Sequence, residues 1–333
     1  MRDNSLVLHS TFNPQPSTAE SDMRVTFNTF PNSLVTQLGD LASRQIRLQN
    51  QAATGQRIEF PEDDPAAVRR VLDLQTESKA LDQYKRNIAN LQDQANASYD
   101  VIKGLKTISD RAGEIATLAD GTKSPEDLKI YATQVNEMIR YAVQLSNSRN
   151  RGDYLLGGTR SDQVPFVATE NAAGQVTAVS YQGNTSLAES EIAQGTTLTA
   201  LTLGANSSNA GPLGLISDNR VGADFFNHLI SLQNNLLTGN TDAISNSDRP
   251  ALGRDEENII SHVANSGSVM ARLETSATLA TNRNASLQTL VSKEADADLA
   301  ETLVRLTSTQ TAYQAALQSG AKILNLSLMD YLR

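Results

Sequence analysis

A mainly α-helical chain with a β-rich insert is what this sequence predicts. The expected form is an elongated antiparallel helical bundle, or coiled-coil rod, formed by the N- and C-terminal arms, with a small, mostly β outer domain. Three observations lead there. Apolar residues recur in alternating steps of four and three through both ends of the chain, the spacing of a heptad seam. Between the helical halves, from Gly152 to about Pro250, the texture changes to Gly, Thr, Ser and Asn with short alternating runs such as QVTAVSYQGN and TTLTALTLG, which read as strands and turns. Hydrophobic residues make up 39% of the 333 positions, yet aromatics are only 5% and Trp is absent. That balance suits long helices packed through small aliphatic side chains better than a thick globular core.

Taken in chain order, the first 22 residues, MRDNSLVLHSTFNPQPSTAESD, are polar and aperiodic with two prolines. They read as a disordered extension, with two alternatives open: Met23 is the functional start and residues 1–22 are not translated, or the extension is translated and dispensable. Leu34, Leu38, Leu41, Gln45, Leu48 and Ala52 then form the first seam, and Gly55 stops it. A long helix is predicted from Pro65 to Ala119, its seam being Tyr84, Ile88, Leu91, Ala95, Ser98, Ile102, Leu105, Ser109 and Ala112, and Asp120-Gly121 ends it. The third helix carries its own start signal. Ser124 caps, Pro125 takes the first helical position, and Asp127 completes a capping-box spacing. Its seam is Leu128, Tyr131, Val135, Met138, Ala142 and Leu145.

Inside the insert one helix is expected, ADFFNHLISLQNNLLTG, with Phe225, Leu229, Leu232 and Leu236 on one face and Gly239 as its stop. Helical texture returns at Asp255 with Ile259, Val263, Ser266, Met270, Leu273, Ala277, Ala280, Asn284, Leu287 and Val291 in step. After EADAD a final helix uses Leu299, Leu303, Leu306, Gln310, Tyr313, Leu317, Gly320 and Leu324. The predicted organisation is therefore an extension over 1–22, a terminal coiled-coil segment of 23–55 with 295–333, a helical rod of 56–150 with 255–294, and a β-rich insert over 151–254. The terminal seams contain Gln45, Gln310 and many Ala, so they are weak alone and are expected to order only among neighbouring subunits.

The same residues exclude several function classes. A net charge of −9 opposes a nucleic-acid surface, which needs clustered Lys and Arg. With no cysteine there is no disulfide, thiolate metal site or Cys nucleophile. No apolar run approaches a membrane span, and the N-terminus lacks the basic-then-apolar layout of a secretory signal, so export needs another route. The histidines are His9, His228 and His262, with no H-E-x-x-H, G-x-S-x-G or Walker pattern among them. No enzyme, cofactor or metal is expected. An activity within 152–254 would have to appear as metal binding or turnover by the purified insert.

One stretch invites a metal reading: Glu59, Glu62, Asp63 and Asp64 within ATGQRIEFPEDDPAAVRR. It lacks the alternating acidic pattern of a calcium loop. Asp64 before Pro65 is better read as an N-cap, with Glu62 and Asp63 beside the positive end of the helix macrodipole. The basic pairs Arg69-Arg70 and Lys85-Arg86 read as a solvated face, and the acidic run Asp296 to Asp298 as a helix start.

These residues also carry a resemblance. TGQRIEFPEDDPAAVRR resembles the SGxRI-x(4)-DDPA signature of the bacterial flagellin superfamily, on Arg57, Ile58, Asp63, Asp64 and Pro65. ADLAETLVRLTSTQTAYQAALQSGAKILNLSLMDYLR is similar to the superfamily's terminal helix. Three features resemble the superfamily's hook-associated branch more than its bulk filament subunits. They are Pro65 after Asp64, the ending SLMDYLR, and RGDYLLGGTRSDQVPF, which is similar to an [NG]-x-Y-[LI]-F-G-G-T motif through Tyr154, Gly157, Gly158 and Thr159. Leu156 stands where Phe is usual, Glu59-Phe60 replace a commoner polar pair, and the residues before Met23 fall outside the pattern.

The resemblance implies a structural subunit, exported through the flagellar type III apparatus and located at the junction of hook and filament. Its implied partners are further copies in a ring, a hook-side hook-associated protein, flagellin and a cytoplasmic export chaperone. Residues 23–55 with 295–333 would form the inner shell, 56–150 with 255–294 the middle shell and 151–254 the outer domain. The implied contacts are Leu34, Leu38, Leu41 and Leu48 on the first helix and Leu303, Leu306, Tyr313, Leu317 and Leu324 on the last. The alternative within the superfamily is a bulk filament subunit.

Overall fold

A computed structural model describes residues 29–331, and side chains from 32 to 322. The extension over 1–22, Met23 and the side chain of Leu324 lie outside the described residues. The described chain divides into two compact units, one running up to Val68 and resuming at Ala295, the other comprising Arg69–Glu294.

The first unit pairs α1 (Thr29–Thr54) with α7 (Leu299–Tyr331). They run antiparallel. Leu34 near the start of α1 meets Gly320 late in α7, while Gln56 just past α1 bridges to Asp296 just before α7. At that bridge the Arg57 N–H donates to the Ala295 carbonyl at 2.7 Å, and the Ala297 N–H to the Gly55 carbonyl at 2.8 Å. A Cβ at Gly320 would stand 2.5 Å from Leu34 Cδ2, so the absence of a side chain there is what lets the two helices approach. The α1 seam is covered as its period predicts: Leu48 is buried, and Leu34, Leu38, Leu41, Gln45 and Ala52 are half-buried.

The α7 seam differs from the expectation. Its covered positions are Thr302, Leu306, Thr309, Gln310, Tyr313, Ala316 and Gly320, so Leu306, Gln310, Tyr313 and Gly320 of the expected seam are covered and Thr302, Thr309 and Ala316 join them. Leu299, Leu303 and Leu317 are exposed instead. Small side chains allow close helix approach, so the pair is stitched through Thr, Ala and Gly, and the large leucines face away. Both terminal segments are helical, and circular dichroism of the purified monomer tests the expectation that they order only among neighbouring subunits: substantial loss of helix on removing 23–55 and 295–333 would contradict it.

The second unit contains most of α2 (Pro65–Leu118), then α3 (Pro125–Ser146), nine short strands, α4 (Phe225–Thr238) and most of α6 (Arg249–Ala295). On α2 every seam position from Ile88 to Ala112 is buried. Farther along, α2 and α6 are tied through polar groups. Ser78 Oγ donates to Asn284 Oδ1 at 2.8 Å, Asn284 Nδ2 donates to Asp82 Oδ1 at 3.0 Å, and Arg283 pairs with Glu77 at 2.7 Å. Asn284, a seam position by its spacing, is thus buried with both ends of its amide bonded. Helix α3 begins as its sequence dictates, with Ser124 Oγ accepting from the Asp127 N–H at 3.1 Å.

The strands form four small sheets: β1 (Arg149–Asn150) with β2 (Asp153–Tyr154), β3 (Phe166–Glu170) with β4 (Val176–Tyr181), β5 (Ser190–Ala193) with β6 (Thr196–Leu198), and β7 (Leu203–Asn206), β8 (Gly214–Asp218) and β9 (Ala223–Asp224) in that order. All neighbours are antiparallel except β7 and β8. Isolated two-stranded ribbons are marginal in water. Here they are held against the helices by two cores: Phe166, Val176, Leu215 and Ile216 pack with Ile102 and Ile139, while Ile192 and Leu198 of β5 and β6 pack with Ile88, Leu91 and Leu273.

One boundary moves. Helical structure resumes before Asp255, with α5 (Thr241–Ala243) passing through a π-helical turn at Ile244–Asp248 into α6 at Arg249. Pro250 sits in the first turn of α6, where a missing N–H is harmless; read as a breaker, it hides the true start. None of the described helices is long and apolar enough to cross a membrane.

Candidate assembly site

The turn between α1 and α2 brings the signature residues together. Gly55 closes α1 by donating its N–H to the Gln51 carbonyl at 2.9 Å, and Gln51 Nε2 donates onward to the Arg57 carbonyl at 2.9 Å. Asp64 Oδ1 accepts from the Ala67 N–H at 3.0 Å, the N-cap geometry its position before Pro65 predicts. Its other oxygen stands 3.2 Å from Arg57 Nη1. Asp63 has a different task from the macrodipole role expected of it. Its Oδ2 accepts from the backbone N–H of Phe60 at 2.8 Å and of Glu59 at 3.1 Å, which folds the turn. Glu59 accepts from Asn50 Nδ2 at 2.9 Å, Ile58 is half-buried and Glu62 is exposed.

Three of the four carboxylates, those of Glu59, Asp63 and Asp64, are therefore spent on amides and on Arg57, and Glu62 faces solvent. Among the described residues, no group of three or more His, Asp or Glu is placed to hold a metal ion. Asp64→Ala should cost about 0.5–2 kcal/mol by chemical denaturation, as N-cap losses do, with Asp64→Asn recovering most of it. The other acidic run behaves as expected of a helix start: Asp298 Oδ1 accepts from the N–H groups of Ala300 at 2.9 Å and Glu301 at 3.1 Å.

On the terminal helices the predicted contact residues separate into two sets. Leu34, Leu38, Leu41, Leu48, Leu306 and Tyr313 lie on covered or half-covered faces. Leu303 is 53% exposed, Leu317 45% and Val304 70%, and Leu299 is exposed as well. Val35 and Ile46 are exposed on α1. Scattered exposed apolar residues are ordinary on a folded chain.

The motif leading into the insert is a second locked element. Tyr154 is buried, with the Arg149 guanidinium carbon 4.1 Å from its ring centroid. Gly157, Gly158 and Thr159 lie against residues the sequence did not single out. Thr159 donates its N–H to Asn184 Oδ1 at 2.9 Å, Asn184 Nδ2 donates to Thr159 Oγ1 at 2.6 Å, and the Asn184 N–H reaches the Gly157 carbonyl at 3.2 Å. The Tyr181 hydroxyl lies 2.9 Å from the Leu156 carbonyl and 3.0 Å from that of Asn184, and burial pushes its pKa up to about 12. The SYQGN run that ends β4 was the available signal, because a Gly-Asn pair closing a strand marks a tight turn.

A buried polar row on α6 also escaped the periodicity. Asp255 accepts from the Asp224 N–H at 2.8 Å and faces His228 Nδ1 at 2.7 Å, while Asn258 Nδ2 donates to the carbonyls of Gly214 and Leu215, each at 2.9 Å. Asp255 holds His228 above its ordinary value of 6.5. Burial holds His262 below that value. A histidine whose folded pKa is raised contributes stability that is complete below 6.5 and fades as pH climbs through the folded value. Thermal melts of His228→Gln should therefore lack a loss of stability that the parent shows as pH rises above 6.5. Identical pH profiles would remove the pair from the account.

Comparison with known proteins follows this geometry. Residues 27–161 match the bacterial flagellin N-terminal helical region. No curated protein matches the sequence. A protein described as flagellar hook-associated from Vibrio parahaemolyticus superposes with a TM-score of 0.59 at 18% identity, covering 70% of this chain and all of the other. FlgL from Bacillus cereus gives 0.52 at 17% identity, covering 66% and 99% of the two chains. The flagellar junction protein FlgL from Legionella pneumophila gives 0.53 at 12%, covering 68% and 100%. The chain is thus flagellin-like, matching the flagellin N-terminal helical region over 27–161 and sharing the fold of solved flagellar hook-associated proteins.

Proposed function

We propose that the chain is a structural subunit of the bacterial flagellum, exported through the flagellar type III apparatus and assembled as a ring that joins hook to filament. The observation that carries this reading is the exposure of Leu299, Leu303, Val304 and Leu317 on a helix whose inner face is mostly Thr, Leu, Tyr, Ala and Gly. A helix packed in that manner is finished on one side and open on the other, as a polymerising subunit requires. The partners are further copies, a hook-side hook-associated protein on one side and flagellin on the other. Before export, a cytoplasmic chaperone covers the same helix through Leu303, Leu306, Tyr313, Leu317 and Leu324.

The fold supports the reading, since its solved likenesses include proteins described as hook-associated and junction proteins. The match over 27–161 fits a bulk filament subunit equally well, so that reading stands as the alternative. Deletion separates them from any unrelated role. Cells lacking the protein should carry hooks without filaments and release flagellin as monomer, and normal filaments on such cells would end the proposal.

A further inference from the structure

A cavity of about 480 Å³ lies within the second unit, between α6, α2 and the loops that flank β6, β7 and β8. That size falls in the roughly 300–1,000 Å³ range of small-molecule clefts. Its apolar wall is Leu187, Leu198, Leu201, Leu203, Leu213 and Val269. One face of α6 supplies the polar lining through Ser261, His262, Asn265 and Arg272, spaced so that all four project the same way.

Two of these groups are uncommitted. Among the described residues, neither the Asn265 amide nor the Arg272 guanidinium, both exposed at the mouth of the cavity, has a hydrogen bond or ion pair, whereas Arg220 and Arg283 are each paired with a carboxylate. His262 is buried, its Nε2 has no partner, and burial disfavours its charged form. Arg272 is therefore the charged group of the cavity. The whole chain carries −9, so an anion gains nothing from the protein at large and must be held by a local cation.

We infer that this cavity binds a small amphipathic monoanion, an alkyl or aryl carboxylate, with its apolar body against the leucines and its carboxylate on Arg272 and Asn265. Such a ligand uses the geometry fully. A planar guanidinium matches a carboxylate, and an amide N–H₂ adds a donor. A neutral molecule would leave Arg272 idle.

Isothermal titration of the full chain with decanoate and with decan-1-ol, both below their aggregation concentrations, tests the inference. Decanoate should bind saturably at one site. Arg272→Gln should weaken it about fivefold, as loss of a rim ion pair does, and leave decan-1-ol unchanged. Ser261→Trp, on an exposed position of the lining, should fill the space and abolish both. The inference is overturned by an absence of saturable binding, by binding that survives Ser261→Trp, which would place the amphiphile elsewhere, such as on the open face of α7, or by an equal loss for both probes in Arg272→Gln.

Discussion

A chain carrying Leu303→Asp and Val304→Asp together should fold as the parent does and fail to enter flagella. Both positions are more than half exposed, so the substitutions create no buried charge. Surface changes of this kind shift stability by no more than about 0.5 kcal/mol. Assembly is another matter. If a neighbouring subunit covers that face, each carboxylate must be desolvated against apolar surface, at a cost of several kcal/mol per charge once effective burial is complete. The parent and variant should give matching thermal melts as purified monomers, and hook-basal bodies from the variant strain should lack the protein and carry no filament. Normal incorporation would show that the outward leucines are solvated in the assembly.

The second large effect is expected inside the fold. Gly158 has φ of +67°, and a Cβ there would lie 2.3 Å from Asn184 Oδ1 and 2.6 Å from the Asn184 carbonyl. Left-handed backbone costs a residue with a side chain about 1–3 kcal/mol, and here the added methyl also displaces the group that bonds Thr159. Gly158→Ala should therefore destabilise the second unit by about 2–4 kcal/mol. Asn184→Ala removes the Oδ1 contact but leaves the residue-184 carbonyl 2.6 Å from the added Cβ and loses the side chain's hydrogen bonds, so it should not rescue it. Chemical denaturation of the two single variants and the double variant measures both statements; a loss below about 0.5 kcal/mol for Gly158→Ala would mean that the turn gives way freely.

Much of this architecture was legible because heptad spacing is a direct record of helix packing. The α2 row from Tyr84 to Ala112 and the α6 row from Ile259 to Val291 could be read position by position, as could the caps at Asp64 and Ser124 and the stop at Gly239. The last helix was misread for a physical reason. Leu306, Gln310, Tyr313 and Gly320 were placed on the inner face by spacing, but a search for large apolar residues also takes Leu299, Leu303 and Leu317, whereas a closely apposed pair selects small side chains, so Thr302, Thr309 and Ala316 take those places.

Polar residues with buried work were the other blind spot. Asp255 and Asn258 look like a solvated stripe in sequence, yet they satisfy the Asp224 N–H and the carbonyls of Gly214 and Leu215. Their role depends on where β8 and the start of α4 arrive in space, which no local pattern encodes. Asn184 and Tyr181 were missed likewise: their partners, Thr159 and Leu156, lie on the other side of β3 in the chain. The acidic cluster was assigned correctly as architecture through Asp64, while the turn-folding task of Asp63 needed the fold.

The claim that this chain forms a junction and not the filament itself is tested most directly by counting. Quantitative mass spectrometry of sheared, intact flagella, with isotope-labelled peptides from this chain and from the filament subunit of the same cells, gives copies per flagellum. A junction ring predicts a small number that stays constant as filaments lengthen. A number that grows in proportion to filament length would contradict the account and make the chain a bulk filament subunit.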